Sequence, residues 1–194
     1  TGVQTCALPI WSLSRILRAS VWDEDRMRVL VTGSRGLLGG EVCKFFAAAG
    51  DDVVPLDRTQ LDIGNRDAIR LQLEEHSPDW IVNCAAYTDV DGAESETDRN
   101  IAANALGPGN LALEGKRVGS GLITVSTDYV FDGANDGFYT QRDDPDPLSE
   151  YGKAKLHGER LASASNARTI IVRVGWLFGK NGRSEEHTSE LQSH

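Results

Sequence analysis

The chain is 194 residues long, carries a net charge of −9 at pH 7, and is 40% hydrophobic and 25% charged. That balance is enough for a buried core and argues against nucleic acid as a partner, which calls for a basic face. No apolar run reaches the ~18 residues of a membrane span, and Cys43 and Cys84 read as reduced core thiols, so a cytoplasmic protein is expected.

The two ends are read separately from the rest. The codons ACT GGA GTT CAG ACG TGT GCT CTT CCG ATC encode residues 1–10, and their reverse complement, in a shifted frame, encodes Ser184–Gln192. Residues 183–194 and the first ten are therefore expected to be one synthetic adapter translated in both orientations, with residues 11–26 as a leader of uncertain status. Residues 27–182 are the informative part. Met27 is followed at once by a strand, so no signal peptide is expected.

From there the elements alternate. Val29–Val31 is a short apolar run that reads as a buried strand, and Gly33, Gly36 and Gly39 set a tight turn into a helix predicted over Glu41–Ala49, with Gly50 as its C-cap. Bare glycines let backbone N–H groups approach a pyrophosphate, and the helix N-terminus adds positive potential. The spacing is G-x-x-G-x-x-G, which by itself also serves plain strand-to-helix geometry. A second strand, Val53–Leu56, ends at Asp57 about 20 residues on, where a carboxylate can take ribose hydroxyls. Leu61-Asp-Ile63 lies in a loop, Asn65 caps a helix carrying Ala68, Ile69 and Leu73, and Pro78 closes it. Trp80–Cys84 is another buried strand that runs into the small-residue loop Ala85–Asp91. A long helical stretch, Thr97–Glu114, follows, and Gly107-Pro-Gly109 is expected to kink or split it. Then come a strand at Gly121–Ser126, a polar loop at Ala134–Pro147, a helix from Ser149 to about Ser163 and a strand at Thr169–Val174. Such alternation predicts an α/β fold, a doubly wound parallel sheet with helices on both faces.

The chemistry concentrates late in the chain. Tyr151 and Lys155 stand at i and i+4, so both leave one helix face, and an ammonium beside a phenol favours the phenolate and lowers its pKa. Thr127, at the carboxyl end of a strand, can hold a substrate oxygen beside them. A solvated Tyr–Lys pair would explain the spacing equally well. The order of glycine turn, Asp57, strand-end hydroxyl and Tyr-x-x-x-Lys favours acid–base chemistry.

With Val31–Gly39, Leu61–Ile63, Asn83–Asp91, Asn104–Ala112, Ser126–Gly133 and Tyr151–Glu159 read together, the chain resembles the extended short-chain dehydrogenase/reductases, and within them the dTDP-4-dehydrorhamnose reductase family. Ser126-Thr-Asp-Tyr-Val-Phe-Asp-Gly133 and Ala85-Ala-Tyr-Thr-Asp-Val-Asp91 carry the resemblance to that branch; Tyr-x-x-x-Lys marks only the superfamily. The resemblance implies a Rossmann-type sheet whose C-terminal substrate-binding part is missing here. It implies NADPH- or NADH-dependent reduction of the 4-keto group of a dTDP-4-dehydro-6-deoxy sugar, no metal, and admits a homodimer of the full-length protein. Thr127, Tyr151 and Lys155 would be the catalytic triad. Gly33, Arg35, Gly36, Leu37, Leu38 and Gly39 would cradle the cofactor, Asp62 and Ile63 would flank its adenine, Ala85, Ala86 and Tyr87 would line its middle, and Asn104 would brace the strand end. Asp57 favours the ribose diol of NADH, whereas Arg35 and Arg58 suit the phosphate of NADPH, so both cofactors stay open. Thr88, Val90, Asp128, Tyr129 and Trp176 would face the sugar. The pattern departs from the family at Arg173-Val-Gly-Trp176, where two hydroxyls of the usual Arg-Thr-Ser-Trp are absent. A sugar-nucleotide epimerase or dehydratase and a non-catalytic, cofactor-binding regulatory subunit are the competing readings.

Overall fold

The computed structural model describes residues 26–135, 137–140, 142–175 and 177. Strand β1 (Arg28–Thr32) is followed by helix α1 (Leu37–Ala48), β2 (Asp52–Leu56), α2 (Arg66–His76) and β3 (Trp80–Asn83). Then come α3 (Thr97–Asn100), a π-helical segment (Ile101–Leu106), α4 (Gly107–Val118), β4 (Gly121–Thr127), α5 (Glu150–Ser165) and β5 (Thr169–Val174). All five strands are parallel, in the order β2-β1-β3-β4-β5. The doubly wound parallel sheet expected from the alternation is the observed fold.

Strand alternation divides the core. Val29, Val31, Val82 and Ile123 pack with Leu38, Val42 and Phe46 of α1 on one face. Leu30, Ile81 and Leu122 pack with Ile69, Leu73, Leu111 and Ala162 of α2, α4 and α5 on the other. A parallel sheet buried on both faces needs near-continuous apolar strands, as β1 and β3 have. Pro55 is tolerated because β2 lies at the sheet edge, where a missing N–H goes unpunished.

Two helix expectations shift. α1 begins four residues before the predicted Glu41, because the glycines that look like helix breakers form its tightly packed first turn. The stretch after residue 97 is not cut at Gly107-Pro-Gly109: Pro108 sits in the first turn of α4, where its ring fits, and the disturbance moves upstream. Pro108 has no N–H to give the carbonyl of Asn104, and the turn over Ile101–Leu106 widens instead.

Leu30 is fully buried whereas Leu71 on α2 is 59% exposed. Leu30→Ala is expected to cost about 2–5 kcal/mol. Leu71→Ala should stay within about 0.5 kcal/mol of the parent. Urea unfolding of both variants followed by circular dichroism checks the pair.

Candidate active site

β2 lies on one side of β1 and β3 on the other, so the chain changes direction across the sheet at the carboxyl end of β1, where α/β sheets open a crevice. Gly33 occupies this point with φ of 65°, and a Cβ there would stand 2.8 Å from the backbone N of Ala85. A Cβ on Gly39 would stand 2.2 Å from the carbonyl oxygen of Gly33. Only glycine allows this closeness. Gly36, the N-cap of α1, offers no capping side chain, and the first turn holds no acid. Its N–H groups and the positive end of the helix dipole are thus left for an anion.

Behind the turn, a buried polar row crosses the sheet. The Thr32 hydroxyl donates to Asn83 Oδ1 at 2.7 Å, and Asn83 Nδ2 donates to the Thr124 hydroxyl at 3.0 Å. These residues are register partners on β1, β3 and β4. The loop after β3 is fixed next. Asn104 in the π-helical segment donates to the carbonyl of Tyr87 (2.8 Å) and accepts from its N–H (3.1 Å). Asp57 is buried at the end of β2, where Oδ1 accepts from the N–H and hydroxyl of Thr59 at 2.7 and 2.6 Å. The Thr59 hydroxyl holds the carboxyl below the usual carboxylate range. Arg35 Nε lies 2.7 Å from Oδ2 as an ion pair, yet Oδ2 receives no hydrogen bond, and Arg35 itself is 82% exposed.

The N-terminus of α5 is capped by Ser149, whose hydroxyl accepts from the N–H of Gly152 at 3.1 Å. This starts the helix one residue before Tyr151, so Tyr151 and Lys155 share an inward face and both are buried. The Tyr151 ring packs edge-to-face on Tyr129, centroids 5.7 Å apart. Lys155 Nζ donates to the carbonyl of Val125 at 2.7 Å. Burial pushes its pKa down to about 8, opposed by the charge of Glu159 one turn further on. Glu159 is in turn held by Arg173 of β5, in a buried two-pronged pair at 2.9 and 2.6 Å. The Thr127 hydroxyl donates to Asp128 Oδ1 at 3.1 Å and accepts from the N–H of Tyr129 at 3.2 Å.

One cavity of about 780 Å³ joins these parts. Gly33, Arg35, Gly36, Leu37, Leu38, Gly39, Asp57, Arg58, Asp62, Ile63, Ala85, Ala86, Tyr87 and Thr88 line it, together with Thr127, Asp128, Tyr129, Tyr151 and Lys155. Val90 is not on the wall, and Asn104 stands behind it. Trp176 lies outside the described residues. Sequence reasoning missed Leu61, Cys84, Arg99, Ala102, Ala103, Val125, Ser126, Val174, Gly175 and Leu177 on the wall, and the polar row Thr32–Asn83–Thr124 behind it. Hydrophilic residues closing otherwise apolar strands were the available signal for that row. Ser126 Oγ is buried without a partner beside the Arg173-Val-Gly departure. Among the described residues, no group of His, Cys, Asp or Glu is arranged to hold a metal, and no helix is long and apolar enough to cross a membrane.

The model of the RmlD substrate binding domain family matches residues 27–189. The chain belongs to this family. Among its relatives, the dTDP-4-dehydrorhamnose reductase of Aggregatibacter actinomycetemcomitans is 40% identical over 158 residues, 81% of this chain and 54% of the relative. The spore coat polysaccharide biosynthesis protein SpsK of Bacillus subtilis is 37% identical over 155 residues, 80% of this chain and 55% of the relative. The crystal structure of dTDP-4-dehydrorhamnose reductase from Bacillus anthracis, solved with NADP, superposes with a TM-score of 0.79 at 36% identity, covering 84% of this chain and 58% of that one. The chain therefore spans little more than half the length of these RmlD-family relatives.

Lys155 makes stability depend on alkaline pH. Its pKa falls from 10.5 in the free side chain to about 8 when buried, so between these values the unfolded chain binds more protons and stability rises with pH. The gain from Lys155 between pH 8 and 10.5 is expected to approach about 3 kcal/mol. Urea titrations of the parent and Lys155→Met at both pH values isolate the gain as the difference between them, because the raised Cys84 thiol lowers the stability of both chains above about pH 9.

Proposed function

We propose that this chain is the nucleotide-binding part of an NADPH- or NADH-dependent reductase that converts the 4-keto group of dTDP-4-dehydrorhamnose to the alcohol of dTDP-L-rhamnose. The observation that carries the reading is that Tyr151, Lys155 and Thr127 line the same cavity as the glycine turn before α1. The residues present fit a dinucleotide on two counts. The uncapped first turn of α1 offers N–H groups to a pyrophosphate, and the buried Oδ2 of Asp57 keeps a lone pair for a ribose hydroxyl. The names of the relatives support the substrate class.

A bound reduced nicotinamide supplies the hydride to C4 of the sugar. The chain's own groups manage the proton. Tyr151 donates its phenolic proton to the carbonyl oxygen as that oxygen gains charge, and Thr127 orients the carbonyl with its hydroxyl. With its pKa at about 8, Lys155 is still mostly charged near neutral pH and balances the phenolate left behind. A hydrogen bond to the Val125 carbonyl holds its ammonium near the carboxyl end of β4. Ala85, Ala86 and Tyr87 line the middle of the cofactor path, Asp62 and Ile63 its adenine end, while Thr88, Asp128 and Tyr129 stand toward the sugar.

Carrying the reading frame on to its genomic stop codon and following reduced-cofactor absorbance with dTDP-4-dehydrorhamnose tests the reading. Turnover is expected, and Tyr151→Phe should lower kcat by roughly 10²–10⁴. Cofactor binding without turnover would remove the reductase assignment and leave the nucleotide site.

A further inference from the structure

We propose that Asn100 is a positioning residue that ties the cavity loop at Tyr87 to the first turn of the helix carrying Tyr151. The proposal rests on the role read for Tyr151 above. Asn100 is buried at the end of α3 and is not on the cavity wall, so it acts only through others. Its Nδ2 donates to the carbonyl of Glu150 at 2.9 Å, and its Oδ1 accepts from Asn104 Nδ2 at 2.8 Å. Asn104 holds both backbone polar groups of Tyr87. Side-chain hydrogen bonds thus run unbroken from the Tyr87 backbone on the wall, through Asn104 and Asn100, to the residue before Tyr151.

The chemistry of the position is demanding. One end of the side chain must accept and the other must donate, on opposite sides, at a fully buried site. An aspartate keeps the acceptor and loses the donor; an alanine loses both. Nor does the first turn of α5 depend on Asn100 alone. Glu94 Oε1 accepts from the Glu150 N–H at 2.8 Å, so the segment just after the Tyr87 loop grips Glu150 by both its N–H and its carbonyl. The separation between the loop lining the nucleotide path and the proton donor is thereby set by side chains that touch neither ligand.

Amide hydrogen exchange by NMR on the 194-residue chain separates this from a generic stabilising role. In Asn100→Ala, the amides of Tyr87, Glu150 and Gly152 should exchange roughly fivefold faster relative to the strand amides of Ile81 and Ile123. In Asn100→Asp, the amides of Glu150 and Gly152 should accelerate while that of Tyr87, still held through Asn104, stays slow. An equal acceleration at strand and site amides, or an unchanged Tyr87 amide in Asn100→Ala, would overturn the tether. The same spectra with NADPH added to the parent keep the two readings apart. Failure of NADPH to protect the Tyr87 loop removes the nucleotide reading, and the ligand-free pattern still decides the tether.

Discussion

The buried row of hydrogen bonds from Thr32 through Asn83 to Thr124 is the interaction on which the site depends. A slip of one residue between neighbouring strands would turn these groups to the opposite face and strand them in an apolar core. Satisfied as they are, they fix the register of the three central strands at the carboxyl edge, where the loops leave. Asn83 Oδ1 and the Thr32 hydroxyl also face the N–H of Ala85, at 3.3 and 3.4 Å. The first residue of the loop that crosses in front of Gly33 is therefore aimed by the same row. Backbone packing at 2.8 Å from a hypothetical Cβ tolerates no drift in that aim.

Electrostatics around α5 follow from burial. Lys155 is placed where water is excluded and is compensated by a carbonyl of β4 at 2.7 Å and a carboxylate one turn away. A buried carboxylate carries its own desolvation cost, met here by the two-pronged contact from Arg173, which also packs on the Phe131 ring. Cys84 lies in the same neighbourhood, and burial, with Cys43 nearby, pushes its thiol up to about 12. It stays a thiol rather than a thiolate, but instead of the core position expected from the sequence it is half-buried and lines the cavity.

Much of this was legible in the residues. Strand cores, the Asn65 cap, the Ser149 helix and the glycine turn are encoded locally, because each depends on apolar runs or on one side chain meeting a nearby N–H. The placement of Tyr151 and Lys155 on one helix face likewise needed only the i and i+4 spacing. What could not be read is long-range pairing. Asn100 and Glu150 are fifty residues apart, and Thr32 and Asn83 fifty-one. No local period links them. The π-helical segment escaped for a related reason: a proline signals a missing donor, and where the backbone takes up the disturbance depends on what packs against it. Sequence spacing also says nothing of dielectric, so the lowering of the Lys155 pKa emerges only from its burial.

The end of β2 shows how a single carboxylate can serve two demands. Oδ1 of Asp57 is saturated by Thr59 and Gln60, which keeps the group ionised and rigid. Only Oδ2 remains, buried and facing the exposed guanidinium of Arg35. Arg35 is 82% exposed whereas the carboxylate is 6% exposed, so the guanidinium is hydrated on its outer side and its inner side is the counter-charge set against the buried Oδ2. On the function proposed above, a diol there would meet a fixed acceptor and a phosphate an exposed cation, with Arg58 lining the same cavity. The two demands still conflict, because a dianion set beside Asp57 is repelled unless Arg35 stays between them. A diol would thus call on Oδ2 of Asp57 alone, whereas a phosphate would call on Arg35 staying in place.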